Sequence, residues 1–189
     1  MPRLISPLVL ALIGLTLSGD GATIHAKAWL AQLLLERAFT KSIASGQPTK
    51  PWSWADTWPV ARIEVKRIGA SAIVLAGSSG QALAFGPGHV EETADAGERG
   101  VAVYAAHRDT HFRFLRDVAI GDEIEVTRSD GRRFHYRADA SAVVRFDASG
   151  IDPHAQGYEL VLSTCWPFEA LTSGPDRYIL HATLIGTGS

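Results

Sequence analysis

Apolar and charged residues alternate through Ala61-Arg62-Ile63-Glu64-Val65-Lys66-Arg67-Ile68. A period of two sends successive side chains to opposite faces, so this run predicts a half-buried strand. Further short strand-like runs occupy residues 71–75, 100–106, 122–127, 132–146, 158–163 and 177–185. Turn signals separate them: Gly77-Ser78-Ser79-Gly80, Gly86-Pro87-Gly88 and Ser129-Asp130-Gly131. The Asp130-Gly131 pair predicts a tight hairpin. Within this region only residues 111–118 read as a short helix. Many short strands at this spacing predict an all-β barrel or sandwich.

The first part of the chain follows a different pattern. Residues 4–19, LISPLVLALIGLTLSG, carry no charge; Arg3 precedes them and Asp20 closes them. The run is slightly short of the twenty or so apolar residues that span a bilayer upright. It reads as an uncleaved membrane anchor. The competing reading is a secretory signal peptide cut near Ala26-Lys27-Ala28. The anchor is favoured because Ile24, Ala28, Ala31, Leu34, Leu35 and Ala38 recur at helical spacing, with Leu30 and Leu33 widening the face. A cut there would fall inside that helix. Arg3 and the amino terminus put the start of the chain on the cytoplasmic side. The rest is then exported.

Residues 40–59 change character again, with Pro48, Pro51 and Pro59 in a polar stretch. Proline fixes φ and removes a donor, so no regular element is expected across this linker. Trp52, Trp54 and Trp58 are expected to clamp the linker to the following domain; a lid or an interfacial belt is the alternative. The expected organisation is an anchor over residues 1–21, an amphipathic helix and Trp/Pro-rich linker over 22–59, and a β-barrel domain over 60–189.

Composition narrows the function. The 189 residues are 46% hydrophobic and 20% charged, with a formal net charge of -2. That balance, without a basic run interleaved with aromatics, excludes nucleic acid as the main partner. Cys165 is the single cysteine. An intramolecular disulfide and paired-cysteine metal sites are therefore excluded. A lone cysteine is usually inert core filling. Its neighbours argue otherwise.

In Leu160-Val161-Leu162-Ser163-Thr164-Cys165-Trp166-Pro167, an apolar strand ends at the thiol and Pro167 stops it. A side chain at a strand end can face a cleft rather than the core. A second apolar strand, Val101-Ala102-Val103-Tyr104-Ala105-Ala106, ends in His107-Arg108-Asp109-Thr110. A thiol needs a proton acceptor or nearby positive charge to react as thiolate, and a histidine can also protonate a leaving amine. Arg177 opens the last strand. An arginine beside such a site stabilises an oxyanion or holds substrate; taken alone it is an ordinary surface charge.

The run Leu162-Ser163-Thr164-Cys165 resembles the Leu-x-Thr-Cys signature of sortases. The strand-end His107, followed by Arg108, Asp109 and Thr110, is similar to their histidine motif. Arg177 falls where that family keeps its arginine, and the three occur in the family order. The similarity covers residues 60–185, and the N-terminal anchor fits it. The Cys165-Trp166-Pro167 continuation and the Trp-rich linker resemble the branch of Gram-negative proteobacteria (class GN). The resemblance implies an eight-stranded β-barrel and a cysteine transpeptidase. Cys165 would attack an amide in a C-terminal sorting signal, of the Leu-Pro-x-Thr-Gly kind, and form a thioacyl enzyme. An amine acceptor, such as a peptidoglycan precursor, would resolve it. His107 would be general acid, then base; Arg177 would bind the oxyanion or the signal backbone. Thr164 would assist through its hydroxyl or amide, with Ser163, Asp109 and Trp166 beside the substrate. No cofactor and no metal are implied. The partners are a sorting-signal protein, the acceptor and the cytoplasmic membrane, with the catalytic domain on its extracytoplasmic, periplasmic side.

Other residues are weighed against this. The spacing of His107 and His111 would suit a metal pair on a helix, but a strand-to-turn transition fits better. Asp109 is a candidate to orient His107, although capping a turn is its commoner use. Glu91, Glu92, Asp95 and Glu98 form an acidic loop, read as solvated rather than calcium-binding. Ser163 lacks a nucleophile elbow. A hydrolytic cysteine peptidase with the same residues, and an anchored barrel that only binds, are the competing functions.

Overall fold

A computed structural model describes the backbone of residues 5–152, 155–170, 172 and 174–188, and side chains in these ranges for Thr23 and from residue 26 onward. The anchor expected over residues 1–21 lies on residues 1–4 and on side chains outside the described residues. His25 as a side chain and His154 lie outside them as well. Among the described residues no helix is long and apolar enough to cross a membrane.

Helix α1 runs over Ile5–Ser45 without a break, so Ala26-Lys27-Ala28 sits inside it. Ala31, Leu35, Ala38, Phe39 and Ser42 are its buried positions, a stripe at helical spacing. Leu30, expected to widen that stripe, is half exposed. The helix also outruns the linker boundary expected at Thr40. Buried Ser42 donates to the Ala38 carbonyl (2.9 Å) and accepts from the Thr49 amide (2.9 Å), holding the last turn and the chain beyond it together. Gly46, at φ 66°, then ends the helix.

Eight strands follow: β1 (Pro59–Val65), β2 (Ala70–Ala76), β3 (Gly88–His89), β4 (Gly100–Ala105), β5 (Glu123–Arg128), β6 (Arg133–Arg145), β7 (Tyr158–Cys165) and β8 (Asp176–Gly188). They close into a barrel in the order β1-β2-β3-β4-β7-β8-β6-β5. The alternation read in residues 61–65 appears as Ala61, Ile63 and Val65 inside and Arg62 and Glu64 less buried. Asp130-Gly131 makes the β5–β6 hairpin, with Gly131 at φ 86°. The interior holds Ile63, Val74, Tyr104, Phe112, Ile124, Tyr136, Leu160, Leu162 and Leu180.

Two elements escape the sequence pattern. Helix α2 (Gly80–Phe85) occupies a stretch beginning in an expected turn; Ser79 caps it by accepting from the Ala82 amide (3.2 Å). Strand β3 is two residues long and begins at Gly88, the last residue of another expected turn. Both are too short to show a period. The helix expected over residues 111–118 is a 3-10 turn, Arg113–Asp117.

Helix α1 packs outside the barrel, where Leu35 and Phe39 meet Ile73, Leu75 and Ala82. Gln32 donates to the Phe85 carbonyl (2.7 Å), and Arg62 pairs with Glu36 and lies 5.0 Å over the Phe39 ring. Trp52 meets Phe85 edge-on at 5.0 Å and so clamps the linker. Trp54 does not; it is 80% exposed. The acidic loop is more ordered than a solvated one. Arg128 gathers Glu98 (2.9 Å) and Asp95 (3.2 Å) and donates to the Ala96 carbonyl (3.3 Å), while Glu91 and Glu92 stay exposed.

Candidate active site

Strands β4 and β7 run parallel, with Val103 beside Val161 and Ala105 beside Ser163. Two residues further along each chain stand His107 and Cys165. Strand β8 runs antiparallel on the other side of β7, and Arg177 is the direct partner of Cys165. One rim of the barrel therefore carries all three residues, from three neighbouring strand ends.

Parity fixes the face they occupy. Ala102, Tyr104, Ala106, Leu160, Leu162, Leu180 and Ala182 point into the barrel. The intervening Val101, Val103, Val161 and Ile179 point outward into a second, smaller cluster. Continuing that outward set gives His107, Cys165 and Arg177. Val144, Ile151 and Ala155 cover the cluster from β6 and the β6–β7 connection. The thiol thus sits at the end of an apolar patch outside the barrel, half-buried rather than sealed in the core.

Thr164, on the inward face by the same parity, is buried, and its Oγ1 donates to the Ala106 carbonyl at 2.7 Å. Ala106 in turn donates its amide to the Ser163 carbonyl (3.1 Å). These bonds hold the residues preceding His107 and Cys165 in fixed register. Arg177 Nη1 donates to the carbonyls of Gly174 (3.0 Å) and Asp176 (2.9 Å), and its guanidinium lies 5.7 Å over the Phe146 ring. Its Nη2 and Nε have no partner among the described residues, which leaves donors for an oxyanion or a peptide carbonyl.

Trp166 turns away from the thiol. It stacks on Tyr178 (6.1 Å, 25°) and meets Phe168 edge-on (5.5 Å), while its amide donates to the Asp176 carbonyl (3.0 Å). The trio Trp166, Phe168 and Tyr178 braces the end of the barrel beneath the site. Ser163 is half-buried on the outer face. Asp109 is exposed and makes no side-chain hydrogen bond among the described residues, to His107 or otherwise. His111 points elsewhere: it bonds the Ala84 carbonyl, and burial, together with His107 nearby, holds its pKa below the ordinary histidine value. Among the described residues no group of three or more His, Cys, Asp or Glu side chains could hold a metal ion. A cavity of about 580 Å3, lined by Ala70, Ala72, His111 and Arg113, opens beyond the His107 segment and is lined by neither His107 nor Cys165.

Arg108 is legible in the sequence only as part of the histidine motif, and its Nη2 has a structural task. It is 7% exposed, and its Nη2 donates to the carbonyls of Ala170 (2.6 Å) and Thr172 (2.8 Å). The segment after His107 is thereby latched to the segment after Cys165. The outer apolar cluster was also missed. Its signal lies in β4 and β7 being apolar at consecutive positions, the mark of strands covered on both faces.

Residues 63–185 match the family model described as Sortase domain. Sortase D of Bacillus subtilis strain 168 is 30% identical over 119 residues, 63% of this chain; the match spans 60% of that relative's length. A Clostridium perfringens sortase D5 transpeptidase superimposes with a TM-score of 0.63 at 26% identity, covering 83% of this chain and 99% of the other. Sortase E of Streptomyces avermitilis gives 0.57 at 31% identity, covering 69% and 90%.

Proposed function

The chain belongs to the sortase family, and on that premise we propose that it is a membrane-anchored cysteine transpeptidase acting on proteins with a C-terminal sorting signal. Cys165 is the nucleophile. Its sulfur attacks the scissile amide carbon, the leaving amine takes a proton from His107, and a thioester forms. The acceptor amine, deprotonated by His107, then attacks the thioester carbon; the carbon–sulfur bond breaks, and the thiolate returns as a new amide forms. Arg177 donates to the oxyanion of both tetrahedral intermediates or to the signal backbone. Thr164 keeps the two strand ends at working distance, Ser163 and Asp109 border the substrate, and Trp166 braces the site from beneath. An amide-for-amide exchange conserves acyl energy in the thioester, so the reaction calls for no cofactor.

The observation that carries this reading is the register of β7: parallel to the strand that leads into His107, and antiparallel to the strand that starts with Arg177. We assign the enzyme to the Gram-negative proteobacterial branch on its Cys165-Trp166-Pro167 run and Trp-rich linker. Residues 1–21 anchor it in the cytoplasmic membrane, 22–59 link, and 60–189 form the catalytic domain on the periplasmic side. The acceptor is a peptidoglycan precursor or another amine. Mass spectrometry of the full chain incubated with candidate signal peptides tests the chemistry. A thioacyl adduct on Cys165 is the expected result; turnover that survives Cys165→Ala overturns it.

A further inference from the structure

The segment that follows His107 and the segment that follows Cys165 enclose a cavity of about 360 Å3. Arg108, Arg113 and Arg116 line it, together with Asp109, Phe168 and Glu169. We propose that this cavity binds the amine acceptor through an oxyanion that the acceptor carries, a carboxylate or a phosphate. The proposal rests on the transpeptidase reading above.

The arginines are unmatched. Arg108 is more than nine-tenths buried; its Nη2 is held by two carbonyls, but its buried Nη1 has no hydrogen-bond partner among the described residues. A buried guanidinium N–H without an acceptor is costly, and the Arg108 charge beside the cavity has no carboxylate partner among the described residues. Arg113 has no ion-pair partner among the described residues, and Arg116 has only a long contact with Asp117 at 3.8 Å. Asp109 and Glu169 share the cavity, yet neither lies within ion-pair distance of these arginines among the described residues. Guanidinium and carboxylate groups that line one small space without pairing leave both signs of charge available. That combination suits a small molecule with an ammonium at one end and an oxyanion at the other.

Position supplies the rest. The acyl carbon sits on Cys165, and His107 must take the proton of the attacking amine. Arg108 and Asp109 are the residues next after His107; Phe168 and Glu169 follow Cys165 by three and four. An acceptor held by its oxyanion in this cavity therefore approaches the thioester from the side of its base. Its nitrogen bonds to the carbonyl carbon, the carbon–sulfur pair returns to Cys165, and the proton goes to His107.

The test uses the full-length protein, a signal peptide that acylates it, and matched acceptors: diglycine against glycylglycinamide, and O-phosphoethanolamine against ethanolamine. The charged member of at least one pair should form adduct roughly tenfold more efficiently than its neutral partner. Which pair shows the preference tells carboxylate from phosphate. In Arg113→Gln/Arg116→Gln the preference should fall to near one, both residues being exposed enough to change without unfolding the chain. Equal use of charged and neutral acceptors, or a preference that survives in the double variant, overturns the proposal. A second measurement needs no turnover: calorimetric titration of diglycine and O-phosphoethanolamine into Cys165→Ala should give saturable binding that the double arginine change abolishes, and absence of binding by both overturns it. Failure to acylate Cys165 with any signal peptide would instead bring down the transpeptidase reading, while the titration still decides whether the cavity takes an oxyanion.

Discussion

The two faces of β4, β7 and β8 do different work with residues one position apart. Inward, Tyr104, Leu162 and Leu180 fill the barrel at 2% exposure or less. Outward, the same strands carry Val103, Val161 and Ile179 and then end in His107, Cys165 and Arg177. The inner set is sealed by close packing, where a lost methylene is felt throughout. The outer cluster is also buried, at 5% exposure or less, and only beyond it do half-buried Cys165 and exposed His107 meet solvent. Strand alternation thus separates stability from chemistry at a spacing of about 3.3 Å per residue.

The separation is broken or sharpened by substituting neighbours. Cys165→Ala should lower turnover by about 10^4-fold or more while leaving the thermal midpoint near that of the parent. Leu162→Ala, three residues earlier and inside, should lower stability by about 2–5 kcal/mol in a urea titration. A Cys165→Ala midpoint that fell as far as that of Leu162→Ala would dissolve the distinction. Arg177→Ala should cost about 10^2–10^3-fold in kcat/KM, read with a signal peptide, without a matching loss of stability. Thr164→Val changes an inward residue next to the rim. Losing its bond to the Ala106 carbonyl should cost about 1–2 kcal/mol, and it should also depress kcat by loosening the His107 and Cys165 strand ends.

The smallest effect concerns a carboxylate remote from the rim. The Arg67 guanidinium, donating from Nη2 at 2.7 Å, holds the Asp122 carboxyl below its ordinary value. A depressed folded value contributes stability above the ordinary carboxylate range, and that contribution is lost as pH falls through the folded value. Because Arg67 is half exposed, solvent screens the pair and keeps that contribution small. Asp122→Asn should flatten the acid limb of stability below about pH 4; an unchanged limb would remove this pair from the account. His111 has the same sense by another cause: burial favours its neutral form, so its contribution is present above the ordinary histidine pKa and fades as pH falls below it.

The strands were legible because their period is local. Ala61 to Val65 declares its two faces within five residues, and Asp130-Gly131 declares a hairpin in two. Cys165 was legible as a strand-end thiol, since Pro167 stops β7 just beyond it. The pairing of β4 with β7 was not, because parallel neighbours so far apart leave no periodic trace between them. Nor was the short α2, whose capping Ser79 reads equally as a turn residue. The histidine and arginine were nameable as partners through family resemblance, whereas their common outward face emerges only from the register. Arg108 shows the limit most clearly: its sequence context marks the motif, but a guanidinium buried against the Ala170 and Thr172 carbonyls is invisible until the loops are in place.

The parallel β4–β7 pair also sets when the site comes into being. Local hairpins, β1 with β2 and β5 with β6, close over short loops and can form early. His107 and Cys165 are brought together only by closing a loop of about 58 residues, which costs more chain entropy and comes later. Arg177 reaches Cys165 over a much shorter connection, twelve residues on, through the antiparallel β7–β8 pair. A partly folded chain holding every local hairpin, β7 with β8 included, has Arg177 but not His107 beside its thiol, so the three strand ends share one rim only once β4 and β7 have paired.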